Sequence, residues 1–480
     1  MLRLKMTQHR TETVVMDRTP APWRGTLKRL AWLDSGSAVV AIFTVALVLR
    51  LVIVPHAGFY GDLGLFKDWA IRLARVGPHH FYVHGPLQDY PPGYLYVLWL
   101  TGKITSTPGY LALKLPAILA DLALAWIAGT FAVRIAPERI VRRWPVRTLV
   151  AASVLFNPAI IGISAIWGQV DSVPAAFVLG SLLLLVTGER SPARDVAAFL
   201  LFAVAFAIKP QAAFVFPVML YVLFRRYLLG RPRGEWLAGL GRIVAVGVPS
   251  IALWASSGLA FGLDPLELVR FDRHSTTLYP VTSANAFNIW GAAAFWRNDS
   301  SGHHVLRVAG VPALYVGTAL FLAALLFVLW WLHRSLERGA DEARAVTVAA
   351  AAVSLLAFLT LTRMHERYMF LALICLAPLV VYRGLRWWYA ALCGLFVLNL
   401  WLPYGSQWTS STPLHPLPLF NWVFGTATDT WQKTMWSLAV SVVGLIVVGA
   451  GLRWAGRPAA EVDSVPLQVA RPAAADHSPA

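Results

Sequence analysis

The chain has 480 residues, of which 58% are hydrophobic and only 14% charged. That balance excludes a water-soluble globule and describes an integral membrane protein. Its net charge of +17 comes from Lys and Arg scattered over short loops between apolar runs. Such scatter excludes a nucleic-acid-binding module and fits membrane topology and anionic headgroups instead.

Residues 1–30 are polar, basic and unpatterned, and are expected to form a disordered cytoplasmic tail rather than a cleaved signal peptide. Spans are then expected where apolar stretches approach the roughly 20 residues that cross a core of about 30 Å. These lie at 38–57, 111–133, 148–166, 172–187, 195–209, 211–224, 243–262, 311–332, 345–362, 368–382, 387–403 and 433–452. They make a polytopic all-α protein with about twelve transmembrane helices and both ends cytoplasmic. The stretch 91–105 is apolar but short, and opens with Pro91, Pro92 and Gly93, so it reads as an interfacial helix. Leaving it out places about two thirds of the 41 Lys and Arg on the cytoplasmic side, as the positive-inside rule requires. Residues 31–454 thus form one membrane domain, with 58–110 as its first extracytoplasmic loop, and 455–480 form a second disordered tail. Cys375 and Cys393 sit inside apolar runs without metal or disulfide spacing and read as packing residues.

Chemistry-bearing residues fall on the side poorer in Lys and Arg, which faces away from the cytoplasm. The first loop reads AGFYGDLGLFKDWAIRLARVG, with Leu65, Phe66, Trp69, Leu73 and Val76 on one helical face and Asp68, Arg72 and Arg75 on the other. This pattern describes a helix lying flat on the membrane. Asp62 sits at its start, where a carboxylate can cap the first turn or do chemistry. Asp89 precedes Tyr90 and two prolines and can orient that turn. Asp171, with Trp167 and Gln169 in WGQVDS, stands where it can cap the following helix. Cations available to an anionic ligand on this side are Lys209, Arg270, Arg273, His274, Arg363, His365 and Arg367. Glu366 and Arg367 can equally form an ordinary ion pair. His79, His80 and His84 cluster near Asp89, but their spacing matches no defined metal site. No metal and no cofactor is indicated.

GDLGLFKDWA, DYPPGY at 89–94, FNPAIIGISAIWGQVDS at 156–172, AFAIKPQAAFVFP at 205–217 and MHERYMF at 364–370 together resemble the GT-C glycosyltransferases, over roughly residues 58–370. Within that superfamily their order looks most like the dolichyl-phosphate-glucose glucosyltransferases of the N-glycan pathway and their bacterial relatives. The resemblance implies a GT-C-like catalytic domain and an inverting transfer of a hexose, mannose or glucose, from a polyprenyl-phosphate donor to an acceptor hydroxyl on the extracytoplasmic face. It implies Asp62 as the base. The donor phosphate would fall to His365, Arg367, Arg363, Lys209 and Arg273. Sugar or acceptor would contact Asp89, Tyr90, Trp167, Gln169, Asp171, Gln211, Asn285, Asn288 and Glu366. Two departures leave sugar and acceptor open: YPVTSANAFNIW at 279–290 offers Asn285 and Asn288 but no carboxylate, and the final element is His365-Glu366-Arg367. The expected partners are the lipid-linked hexose, a glycan, glycolipid or protein acceptor and the bilayer, with no nucleic acid. An Ala, Arg, Gly and Pro bias points to a bacterial plasma membrane. The alternative is a transporter or flippase for a lipid-linked saccharide, which would place ionisable groups near the bilayer midplane and show paired repeats.

Overall fold

A computed structural model describes residues 36–55, 58–83, 90–302, 304–407, 419–427 and 429–459. The expected tail at 1–30 and most of that at 455–480 lie outside them, as do His84 and Asp89. Within the described residues the last helix runs to Ala455, and the chain after it stays tied to the body. The Ala459 amide donates to the Gly339 carbonyl at 3.1 Å, and an Arg344 guanidinium nitrogen donates to the Arg457 carbonyl at 2.9 Å.

The protein is predominantly helical and is an integral membrane protein. Among the described residues seven helices are long and apolar enough to cross a membrane: Gly36–Ile53, Tyr110–Ile135, Arg233–Phe261, Ala313–Glu337, Glu342–Thr360, Arg383–Gly405 and Trp431–Ala455. An eighth crossing arises if Val146–Leu155 and Pro158–Trp167, bent by 45° at their junction, count as one. Pro158 opens the second half, where the missing N–H costs nothing, and the Asn157 side chain caps it by accepting from the Ala159 amide. The stretches expected at 172–187 and 195–209 form Ser172–Val186 and Pro192–Ile208, of 15 and 17 residues. The stretch at 211–224 begins as a 3₁₀ turn before the helix Phe216–Tyr227. An arrangement of twelve spans is compatible with these shorter segments.

Glu342–Thr360 is the axis of the body. Its sequence EARAVTVAAAAVSLLAFLT is buried over almost its whole length, because alanines let neighbouring backbones approach closely where lipid offers no hydrophobic drive between helices. Gly36–Ile53, Arg233–Phe261 and Ala313–Glu337 lie at the periphery, each with few buried residues and many exposed apolar side chains, as lipid contact requires.

A second, smaller apolar cluster holds the first loop. Tyr60–Val76 buries Leu63, Phe66, Trp69, Ala70 and Leu73, and Pro92–Ile104 buries Tyr94, Leu95 and Leu98 against them. The buried stripe is rotated from the sequence expectation. Leu65 is only partly covered and Val76 is exposed, while Leu63 and Ala70 take the inner positions. The rotation follows from Leu63 packing over Gly168, where an added Cβ would stand 2.6 Å from the leucine side chain.

Candidate active site

Asp62 lies in the first turn of Tyr60–Val76, yet it does not cap that helix: the N-cap is Phe59, without a side-chain bond. Its carboxylate turns instead to the WGQVDS segment. Oδ2 accepts from Trp167 Nε1 at 2.8 Å and also from the Gln169 side-chain amide. Among the described residues no donor reaches Oδ1. The two segments are fastened beside the carboxylate: Phe59 stacks on Trp167 with ring centroids 4.4 Å apart, and its amide donates to the Trp167 carbonyl at 3.2 Å. Gly168, at φ +90°, makes the left-handed turn that sends Trp167 and Gln169 to the same carboxylate. Tyr90 completes the wall by donating to Gln169 Oε1 at 3.2 Å.

Asp171 likewise stands at a helix start without capping it. Its Oδ1 accepts from Lys209 Nζ at 2.8 Å, and both side chains are buried. Oδ2 is buried with no partner. Lys209 ends Pro192–Ile208, and the Pro210 turn keeps it from continuing the helix. Close contact with Pro92–Ile104 fixes this corner, since a Cβ on Gly93 would meet the Ala207 carbonyl oxygen at 2.4 Å. The Lys209 ammonium also lies 6.0 Å from the Tyr90 ring centroid, within cation–π reach.

The MHERY segment leaves Glu342–Thr360 and pairs in parallel with Ser283–Ala284. Arg363 adopts φ +63° there, a conformation held by its side chain. The guanidinium grips the buried Asp299 with bonds of 2.8 and 3.1 Å and donates to the Thr276 carbonyl at 2.8 Å. Arg363 therefore borders the cavity with its charge already engaged. Glu366 Oε1 accepts from Arg367 at 2.9 Å, and the Arg367 guanidinium lies 5.7 Å from the Trp167 ring centroid. Arg367 Nε is buried without a partner. The His365 ring lies between Tyr279 and Tyr368, at 5.3 and 5.2 Å. Burial, followed by the positive charges of Arg367 and Lys209, pushes its imidazole well below the usual range. At neutral pH His365 is thus a neutral hydrogen-bonding group, where the sequence suggested a cation.

Asp62, Tyr90, Trp167, Gln169, Lys209, Gln211, Arg273, Asn285, Arg363, His365, Glu366 and Arg367 share one cavity of about 800 Å3. Asp171, Lys209, Gln211, Arg367 and Tyr368 line a small recess beside it. The Gln211 Oε1, Asp171 Oδ2 and Arg367 Nε atoms are all buried and, among the described residues, without hydrogen bonds, so each keeps a donor or acceptor that the protein does not satisfy. Asn288 stays outside. It is fully buried, donates to the Phe358 and Leu361 carbonyls and accepts from the Trp290 and Gly291 amides. Arg270 and His274 do not line the cavity. Among the described residues no group of three or more His, Cys, Asp or Glu could hold a metal ion.

Asp272 belongs to none of the motifs legible in the sequence. It lies on the helix Pro265–Ser275 and lines the cavity, with both carboxylate oxygens buried and the Trp254 indole as their polar neighbour. Burial raises its carboxyl to about 6. A group raised in the fold contributes its stability below its unfolded value and loses it as pH rises through the folded one. The wild type should therefore lose of the order of 1–2 kcal/mol relative to Asp272→Asn between about pH 4 and 7, after allowance for screening at this partly open site. Melting curves of both proteins across that range test this; parallel pH dependences would refute it.

No protein-family model and no curated protein gives a significant match to this sequence. Among solved structures, ArnT from Cupriavidus metallidurans bound to undecaprenyl phosphate aligns at 15% identity over 88% of this chain and 75% of its own, with a TM-score of 0.45. Its apo state aligns at 15% identity over 87% and 74%, with a TM-score of 0.47. The Archaeoglobus fulgidus oligosaccharyltransferase aligns at 13% identity over 88% of this chain and 56% of its own, with a TM-score of 0.40.

Proposed function

We propose that the protein is a GT-C-type inverting glycosyltransferase that moves a hexose, mannose or glucose, from a polyprenyl-phosphate donor to an acceptor hydroxyl on the extracytoplasmic face of a bacterial plasma membrane. The observation that carries this reading is Asp62: a carboxylate fixed through one oxygen by Trp167 and Gln169, with its other oxygen unengaged at a large cavity beside Lys209 and Arg367. A general base needs that arrangement, because the donors set its direction and the remaining lone pair is open to a proton.

In the proposed reaction an acceptor oxygen attacks the anomeric carbon while the bond from that carbon to the phosphate oxygen breaks. The acceptor proton passes to Asp62 Oδ1, and the electron pair leaves with the polyprenyl phosphate. Negative charge then develops on the leaving phosphate, and cations already in place stabilise it without reorganising. Arg367, with its unpartnered Nε, and Arg273, exposed at the cavity, serve this role first. Lys209 adds charge while paired to Asp171, and neutral His365 donates a hydrogen bond. Asp171 Oδ2 and Gln211 Oε1 accept from sugar hydroxyls, and Tyr90 borders the ring's side of the cavity. The apolar lining from Phe206, Phe214 and Leu314 suits the first isoprene units of the donor. The proposed step invokes no cofactor.

The test is transfer by purified, detergent-solubilised protein given synthetic polyprenyl-phosphate mannose or glucose and a crude membrane acceptor. Release of free polyprenyl phosphate with labelled sugar in the acceptor is expected from one of the two donors. Binding of donor with no transfer to any acceptor fraction would overturn the enzyme in favour of a carrier.

A further inference from the structure

A second polar site lies at the other end of the helical body. Ser172–Val186 starts beside Asp171 at the cavity and ends at Thr187, about 22 Å away at 1.5 Å per residue. There a pocket of about 120 Å3 is lined by Arg190, Arg225, Arg226, Arg231 and Glu342, over a floor of Val222 and Leu336. Its volume is far below the roughly 300–1,000 Å3 of a site for a drug-sized molecule.

The charges do not balance. Glu342 is shared by Arg190 at 2.5 Å, Arg226 at 3.4 Å and Arg225 at 3.8 Å. Arg226 is also paired with the buried Asp195, which accepts from Tyr227 as well. Arg231 pairs with the exposed Glu235, at 3.7 Å. Three guanidiniums from two segments thus converge on one pocket carboxylate, and Arg231 lines the same pocket. Arg194 adds a fifth close by, with its own guanidinium bonded to the Thr187 carbonyl.

We propose that this pocket binds a phosphate group, and that the group is the headgroup of an anionic lipid. Guanidinium forks match phosphate oxygens bidentately, and basic pockets between membrane helices take anionic headgroups. The surroundings favour a lipid over free phosphate. The helix that begins at Trp236 flanks the same segment and presents Leu237 at 84% and Leu240 at 49% exposure, an apolar surface for acyl chains beside the charged pocket. The site is separate from the cavity and its binding does not rest on the proposed transfer.

The experiment uses the full chain in neutral detergent and follows melting by tryptophan fluorescence with short-chain phosphatidylglycerol, phosphatidylcholine or inorganic phosphate. Phosphatidylglycerol should raise the melting temperature by several degrees over phosphatidylcholine. In R190Q/R231Q, which removes the two most exposed pocket arginines, the increment should fall by at least half. R297Q/R307Q, with the same charge removed at the other end, should keep it. R225Q is the second pocket variant, so that a folding failure of the first leaves the test intact. An equal increment from inorganic phosphate alone would support the phosphate site and overturn the lipid as its source. An increment that survives in both pocket variants, or falls equally in R297Q/R307Q, would overturn the site.

Discussion

Asp62→Asn should lower the transfer rate by about 10²- to 10⁴-fold while leaving donor affinity within a factor of about two. The substitution keeps the shape of the side chain, and its carbonyl oxygen can still accept from Trp167 Nε1 and the Gln169 amide. What changes is the atom facing the cavity. An NH₂ group replaces the unengaged Oδ1, so a donor stands where the acceptor proton must go. Single-turnover transfer from a labelled donor, read alongside direct donor binding, separates chemistry from affinity. Unchanged turnover would remove Asp62 from the proton path. Asp62→Ala is a poorer probe, because it strands the Trp167 and Gln169 donors at about 1–3 kcal/mol for each group left buried without an acceptor.

Much of this arrangement was legible in the sequence because its signals are local. The apolar runs mark the membrane helices, the amphipathic stripe after Tyr60 marks the loop helix, and the WGQVDS and MHERY segments mark the polar side. The sequence left Asp62 and Asp171 open as helix caps. The structure removes both caps, and it does so through partners 105 and 38 residues away, Trp167 and Lys209, which no local pattern could supply. Asp272 stayed hidden for a related reason. PLELVRFDRHS reads as a solvated helix, and only the cavity reveals that this one carboxylate points away from water. Asn288 is the reverse case. Its polarity suggested a ligand, but it satisfies the backbone where Glu342–Thr360 ends. Arg363 was grouped with His365 and Arg367 by proximity in sequence, while Asp299, its actual partner, carries no motif.

Lys209→Met should be the most destabilising single change in the cavity, by about 3–5 kcal/mol, because it leaves the Asp171 carboxylate buried without its counter-charge. Asp171→Asn should cost less than this, since the flexible ammonium has the Tyr90 face to turn towards. The double variant Lys209→Met/Asp171→Asn buries no net charge and should recover most of the lost stability, giving a coupling energy well outside additivity. Donor binding decides what the pair is for. If Lys209 contributes its charge to the lipid phosphate, the double variant melts near the wild type yet binds donor at least tenfold more weakly. If the pair only ties Ser172–Val186 to the Pro210 turn, stability and donor affinity return together. The unpartnered Asp171 Oδ2 and Arg367 Nε beside the pair favour the first outcome, because a purely structural ion pair would have no cause to leave them open.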